Sequence, residues 1–489
     1  MLLLPSLILL PILTFLLQKA LKEYRKYFVL RSLPGPPRSS LVAGNLDKFF
    51  DPKESARWHQ HLTEKYGSAV RLTGPLGEPQ VFLSDPKGLE TVLLREGDAF
   101  EKPEQLYSSI HMGLFGEGSG SVRGVQHRKQ RRRVGPALTP SASKALTPKF
   151  SEIADQLRRV FRKQTQSGNG KAEIDVRRWL GLAALEITVQ SLGATFDLLD
   201  DEKEPHPYNK AALPPLLIML FHPFTRIGTP AIRQFLSSLI PLQTVSELKG
   251  VLRILDKTGN EIYRNAQEAM QADKVSWNLE FEKNPSIIAS LLSENKQRSE
   301  TERLSHDEIV GMINSLIFAA HDTSANAMTR CLDVLAKRID IQQQLREEIR
   351  EVFDGDRILD LDKILELPTL DAFIKEVLRM YAPLLSMPRV ARKDTTVPLL
   401  HPVLAIDGKT LITEIHVKAG TTIQVAMSES NLNTKTWGPD AREFKIERWL
   451  EPLPNTVTSA GIPGIFSNLC VYLCFFQTPI IKLTLCLEG

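Results

Sequence analysis

The chain has 489 residues, of which 42% are hydrophobic, enough for a sizeable core. A net charge of +4 points to no particular partner, and four cysteines (Cys331, Cys470, Cys474, Cys486) exclude a disulfide framework and suit a reduced, cytosol-facing location. Length alone suggests about three domains, but no linker, low-complexity block or repeat divides residues 40–450, so one large domain is expected.

Leu2 to Leu17 is apolar apart from Pro5, Ser6, Pro11 and Thr14. As a helix this run spans only ~24 Å at ~1.5 Å per residue, short of the ~30 Å hydrocarbon core. Met1 and the snorkelling stems of Lys19 and Lys22 close most of that gap. No charge precedes the run, whereas Lys19, Lys22, Arg25, Lys26 and Arg31 follow it. That order is the reverse of a cleaved signal peptide, and the positive-inside rule then places the bulk of the chain in the cytosol. Residues 1–21 are therefore expected to form a single transmembrane signal anchor. Residues 22–40 read as a basic hinge made stiff and non-helical by Pro34-Gly35-Pro36-Pro37.

Arg123 to Arg133 holds six basic residues in eleven. Such a cluster is generically a nucleic-acid patch. Here Val134, Pro136 and Leu138 make it an amphipathic element leading into a packed turn, without interleaved aromatics, so no nucleic acid is expected. Ala211 to Phe224 is apolar, but too short and too proline-broken to span a bilayer. A buried core segment is one reading of it.

Ser305 and Glu308 have the spacing of a capping box at a helix start. Ile309, Met312, Ile313, Leu316 and Ile317 then recur at helical spacing. Ala319-Ala320-His321-Asp322-Thr323-Ser324 interrupts the pattern, which resumes at Met328, Leu332 and Leu335. The two alanines leave space beside the backbone, as a flat cofactor and a diatomic molecule would require. Asp322 and Thr323 put acidic and hydroxyl groups into an apolar helix, where an unpaired charge is expensive. Thr323 can back-bond to the preceding turn and bend the helix, and Asp322 can face solvent; both outcomes stand beside a catalytic one.

Glu376 and Arg379 are three apart on an otherwise apolar helix (Leu370, Phe373, Ile374, Val377, Leu378), so a buried pair is expected. Such a pair needs a further partner for its remaining hydrogen bonds, and Arg448 is the candidate. The spacing alone is common on solvated helices. Here Tyr381, Pro383, Pro388 and Arg389 follow it, and then Trp437-Gly438-Pro439-Asp440 and Phe444-x-x-Glu447-Arg448-Trp449.

That combination resembles the cytochrome P-450 family of haem-thiolate monooxygenases, most closely its fungal microsomal members, from about Leu33 to Leu469. The resemblance implies a mainly α fold with a smaller β portion, with residues 41–469 as the catalytic domain behind the anchor and proline-rich hinge. It implies haem b as cofactor and insertion of one oxygen atom from O2 into a lipophilic substrate. Electrons would come from NADPH through a flavoprotein reductase, with cytochrome b5 as a further partner, at the endoplasmic reticulum membrane. It also implies that Ala319, Ala320, Asp322 and Thr323 form the oxygen-activation motif, with Ala320 where glycine is usual. Thr323 would hydrogen-bond oxygen and Asp322 would help deliver protons. His127 and Arg131 would meet one haem propionate, His127 standing where tryptophan is more usual, and Arg389 the other. Arg128, Lys129, Arg132 and Arg133 are alternatively a basic face for an acidic reductase. Ala211 to Phe224 would lie near the substrate entrance and dip into the bilayer.

The family's cysteine-ligand loop, Phe-x-x-Gly-x-Arg-x-Cys-x-Gly, is expected soon after Leu469, with its cysteine near position 479, which is Pro479. No arginine follows Arg448 and no glycine lies between Gly464 and Gly489, so no metal ligand is identifiable. Residues 470–489 read as a non-homologous tail. The codons of Val471-Tyr472, Leu483-Thr484 and Leu487-Glu488 can supply a splice donor, branch point and acceptor, so a retained intron is expected. Two functions follow: a membrane-anchored monooxygenase impaired for lack of its ligand loop, or an inactive membrane-bound haem- or lipid-binding relic.

Overall fold

The computed structural model describes residues 3–103, 116–167, 172–200, 243–271, 286–353, 361–464 and 469–470. The Ala211–Phe224 segment, Cys474, Pro479 and Cys486 lie outside them. Among the described residues, the helices of ten residues or more are α1 (Leu3–Leu30), α2 (Ser55–Tyr66), α3 (Gly124–Val134), α4 (Pro140–Ser167) and α5 (Val176–Leu192). They continue with α6 (Gln243–Gln271), α7 (Ile287–Lys296), α8 (His306–Lys337), α9 (Ile339–Phe353) and α10 (Pro368–Met380). The strands are β1 (Ala69–Thr73), β2 (Pro79–Leu83), β3 (Phe100–Glu101), β4 (Met387–Ala391), β5 (Thr395–Leu404), β6 (Leu411–Val417) and β7 (Thr422–Val425). The fold is mainly helical with a smaller sheet portion.

Backbone packing groups these residues into two compact units. The first draws on residues 1–103, 384–443 and 453–470; the second draws on 104–383 and 444–452. Because the chain passes back and forth between them, no linker marks the division.

The first unit is built on a five-stranded sheet in the order β1-β2-β7-β4-β3. Its central strands β2 and β7 pair in parallel and are buried along their whole length, with the buried Gln424 Nε2 donating to Gln80 Oε1 at 3.0 Å. β5 and β6 form a separate antiparallel hairpin with an irregularity between Pro398 and Val403. Leu30 and Leu33 are buried, as is Lys26, whose ammonium reaches Glu23 at 2.9 Å. The helical part of the chain thus extends past residue 21, well into the basic segment read as a hinge. The proline-rich stretch is docked as well. Arg71 N donates to Pro34 O at 2.8 Å, and a Cβ on Gly35 would overlap the Arg71 carbonyl. No described helix is long and apolar enough to cross a membrane.

The second unit is organised around α8, which packs against α5, α6, α9 and α10. Its start is the capping box read from sequence: Glu308 N donates to Ser305 Oγ at 3.1 Å, and Ser305 N donates to Glu308 Oε2 at 2.8 Å. The expected interruption is absent, since α8 runs unbroken from His306 to Lys337. Back-bonding by Thr323 and Ser324 is accommodated without breaking the helical ladder.

Candidate functional site

Ile313 and Ile317 before the oxygen-motif segment, and Ala325 and Met328 after it, are buried, so α8 is anchored on both sides of that segment. Between them Phe318 and Ala319 are exposed and Ala320 is half-buried. Thr323 Oγ1 donates to Ala319 O at 2.6 Å, and Ser324 Oγ donates to Ala320 O at 2.6 Å. Asp322 is exposed, the solvent-facing alternative left open by the sequence. Its carboxylate lies 3.9 Å from Arg177 of α5, itself exposed, so the attraction is weak. His321, given no role from sequence, turns towards Gly181 of α5. Burial lowers its pKa, against upward pulls from Asp322 and the Gly181 backbone.

Glu376 and Arg379 are fully buried on α10 and meet as a two-point fork. Arg379 Nε donates to Glu376 Oε2 and Nη2 to Oε1, each at 2.8 Å. Arg448 Nε stands 3.8 Å from Glu376 Oε1, near enough for ionic attraction but beyond hydrogen-bond distance. Two hydrogen bonds to Glu376 come from residues near Arg448 in the chain. Trp449 Nε1 donates to Glu376 Oε2 at 2.9 Å, and Lys445 N donates to Oε1 at 2.9 Å. The sequence marks Trp449 as part of a motif without assigning it this role. An indole N–H, which has to be satisfied when buried, is the available signal.

His127 and Arg131 lie four apart on α3 and so share a face; His127 is half-buried and Arg131 exposed. Arg389 is half-buried on β4, with Nη1 donating to Pro388 O at 2.9 Å. The suggested basic face is only partly available. Lys129 donates to Arg303 O at 2.8 Å, and Arg133 turns inward to Glu294 at 3.3 Å and Glu302 at 3.5 Å, leaving Arg128 and Arg132 exposed. The glutamines between them tie α3 to α8: Gln126 and Gln130 each donate to Glu308 Oε1 at 3.3 Å.

The family model described as Cytochrome P450 matches residues 34–461. The chain belongs to the cytochrome P450 family. Cytochrome P450 monooxygenase 219 of Postia placenta is 34% identical over 469 residues, covering 94% of this chain and 85% of that protein. Ganoderic acid synthetase CYP5150L8 of Ganoderma lucidum is 30% identical, covering 91% of this chain and 83% of that protein. Among solved structures, the cytochrome P450DA heme domain superposes with a TM-score of 0.69 at 17% identity, over 93% of this chain and 90% of that one. This last likeness is one of fold.

The P450 family and the heme-domain fold imply haem as cofactor. Each unit, taken by itself, holds residues whose chemistry suits part of such a group. Ala319 offers only a methyl group on an exposed stretch between buried turns of α8, which suits close approach of a flat ring. Arg131 and Arg389 are permanent cations suited to carboxylates. The axial side fits less well. Cys331 and Cys470 are both fully buried, and burial pushes the Cys470 thiol up to about 12 and the Cys331 thiol higher still, which favours the neutral form of each. Among the described residues no cluster of three His, Cys, Asp or Glu side chains could hold a metal ion. Cys470 is held instead by its main chain: its N donates to Asn431 Oδ1 at 2.9 Å, and Asn431 Nδ2 donates to its carbonyl at 3.3 Å.

Proposed function

We propose that this P450 is a haem-dependent monooxygenase that inserts one oxygen atom from O2 into a lipophilic substrate. In this reading electrons come from NADPH through a flavoprotein reductase, with cytochrome b5 as a second donor. α1 tethers the chain to the endoplasmic reticulum membrane with the catalytic part in the cytosol. Support for the tether is the order of the N-terminal sequence, an apolar run followed by Lys19, Lys22, Arg25, Lys26 and Arg31.

The observation that carries the chemistry is the Thr323 hydroxyl, bonded to the Ala319 carbonyl in the one stretch of α8 where Phe318 and Ala319 are exposed. Bound haem would supply oxygen binding and activation. The chain's part is to position the reactants and move protons. Thr323 Oγ1 can exchange its Ala319 partner for a ligand seated on that stretch. Asp322, one residue away and open to solvent, is a point where protons enter. Arg131 in the second unit and Arg389 in the first are each the kind of cation that would hold a carboxylate of the cofactor, while the Glu376–Arg379 fork keeps α10 fixed.

A second reading, an inactive membrane-bound haem- or lipid-binding protein, is favoured by one observation: both described cysteines are buried. The ferrous–CO spectrum of the purified protein separates the two. A thiolate-type Soret band supports the monooxygenase; a histidine-type band, or no haem, overturns it in favour of the second.

A further inference from the structure

We propose that the Met380 thioether is a modification site for peroxide, set against the Arg379 guanidinium so that only one side of the sulfur reacts. The inference stands apart from any substrate that the chain turns over.

α10 ends on Met380, whose Sδ accepts a hydrogen bond from Arg379 Nη2 at 3.1 Å. Nη2 also donates to Glu376 Oε1 at 2.8 Å, so the same nitrogen joins the thioether to the buried fork. Arg379 is fully buried, whereas Met380 is half-buried. Tyr381, the next residue, is exposed, with the Arg330 guanidinium over its ring at 5.2 Å. The fork is therefore linked towards the surface of the second unit through one side chain, and that side chain carries an oxidisable atom.

A thioether sulfur has two lone pairs. One is turned to Nη2, and the other is left to an oxidant arriving from the half-open side. Hydrogen peroxide, the two-electron reduction product of O2, is a sufficient oxidant. Sulfur gives up two electrons, the O–O bond breaks and an S–O bond forms; the second oxygen leaves as water with both protons. Because one lone pair is engaged, the folded protein forms a single sulfoxide epimer.

The product alters the fork. A sulfoxide sulfur carries partial positive charge, so it faces the guanidinium as a repelling atom where the thioether had accepted a hydrogen bond. Glu376 keeps its bonds from Trp449 Nε1 and Lys445 N, so the disturbance falls on the arginine and the end of α10. The change is reversible: a reductase takes two electrons from a pair of thiols, which become a disulfide, and the sulfoxide oxygen leaves as water. Methionine sulfoxide reductases each act on one epimer. The partner this site fits is a reductase of one epimer class.

Peroxide treatment of the full chain tests this. The folded protein is exposed to dilute hydrogen peroxide, quenched and digested. Sulfoxide at each methionine is measured by mass spectrometry before and after incubating the peptides with either reductase alone. Met380 is expected to be oxidised while Met312, Met328 and Met427, which are buried, are spared. One reductase is expected to clear the sulfoxide at 380, whereas protein oxidised after denaturation needs both. The melting temperature of the oxidised parent is expected to shift downward, and that of Met380→Leu to be unmoved by the same treatment. A Met380 sulfoxide from folded protein that needs both reductases overturns the one-sided site. So does a Met380 that stays reduced while Met270 and Met387, also half-buried, are oxidised. An equal downward shift in Met380→Leu assigns the loss to other methionines and overturns the effect on the fork. The epimer result is read on the parent chain and does not depend on that variant folding.

Discussion

Trp449 and Arg379 converge on the same atom: the indole N–H reaches Glu376 Oε2 at 2.9 Å, and the guanidinium Nε reaches it at 2.8 Å. A buried carboxylate is thereby shared between α10 and a segment some seventy residues later in the chain. Either cation or acid left alone would be an unpaired buried charge. Glu376→Ala and Arg379→Ala are each expected to cost about 3–5 kcal/mol. Trp449→Phe, which removes one hydrogen bond to a charged acceptor, is expected to cost about 1–3 kcal/mol. Urea midpoints of the three variants check the order; a Trp449→Phe protein as stable as the parent sinks the assignment.

Thr323 contributes little to folding, because its hydroxyl bonds within its own helix. Thr323→Ala is expected to change stability by less than about 1 kcal/mol. Product formation is expected to fall on the order of 100-fold if Thr323 moves a proton. Thermal melts and turnover measured on the same preparation test this, and unaltered turnover would remove Thr323 from the reaction.

His59 gives the first unit an acid-sensitive point. It is packed against Phe49 at 4.4 Å and Phe82 at 5.2 Å between ring centroids. Burial pushes its pKa from 6.5 down to about 4, against a partial upward pull from the Phe49 backbone. The unfolded chain therefore takes up this proton more readily than the folded one. The stability it contributes is full above about pH 6.5 and is lost as pH falls from there towards 4. The loss is on the order of 3 kcal/mol. His59→Phe is expected to flatten that part of the stability–pH curve, as denaturant titrations of both proteins at several pH values will show.

Deleting residues 1–21 and deleting residues 1–31 are expected to differ. The shorter deletion spares Lys26 and Leu30, which are buried in the first unit, and is expected to leave the melting temperature unchanged. The longer one removes both, and loss of the Leu30 side chain alone is expected to cost about 2–5 kcal/mol. Equal melting temperatures for the two would mean that the end of α1 does not hold the body together.

Features whose partners are near in sequence are legible from the sequence itself. The Ser305–Glu308 box spans three residues, and Glu376 and Arg379 share a helix, so periodicity alone brings them together. Trp449 is not legible as a partner because its acceptor is 73 residues away. The parallel pairing of Val81 with Ile423 is hidden for the same reason. The sequence leaves open whether Asp322 faces the interior or solvent, because the apolar residues before it belong to other faces of the helix. The unbroken course of α8 is equally illegible, because a back-bonded threonine fits within a regular helix as readily as it bends one.

Asn431 grips residue 470 by its amide N and its carbonyl, with the side chain imitating one rung of a β-ladder. Such a grip is blind to what residue 470 carries. Any side chain that fits the space is held at the same spot with the same heading, so exchanging Cys470 for alanine leaves the path of the chain alone. Exchanging Asn431 for leucine does the reverse: it keeps every group at 470 and frees the backbone that aims it. Position and chemistry at this point of the molecule are thus set by two different residues, and can be varied one at a time.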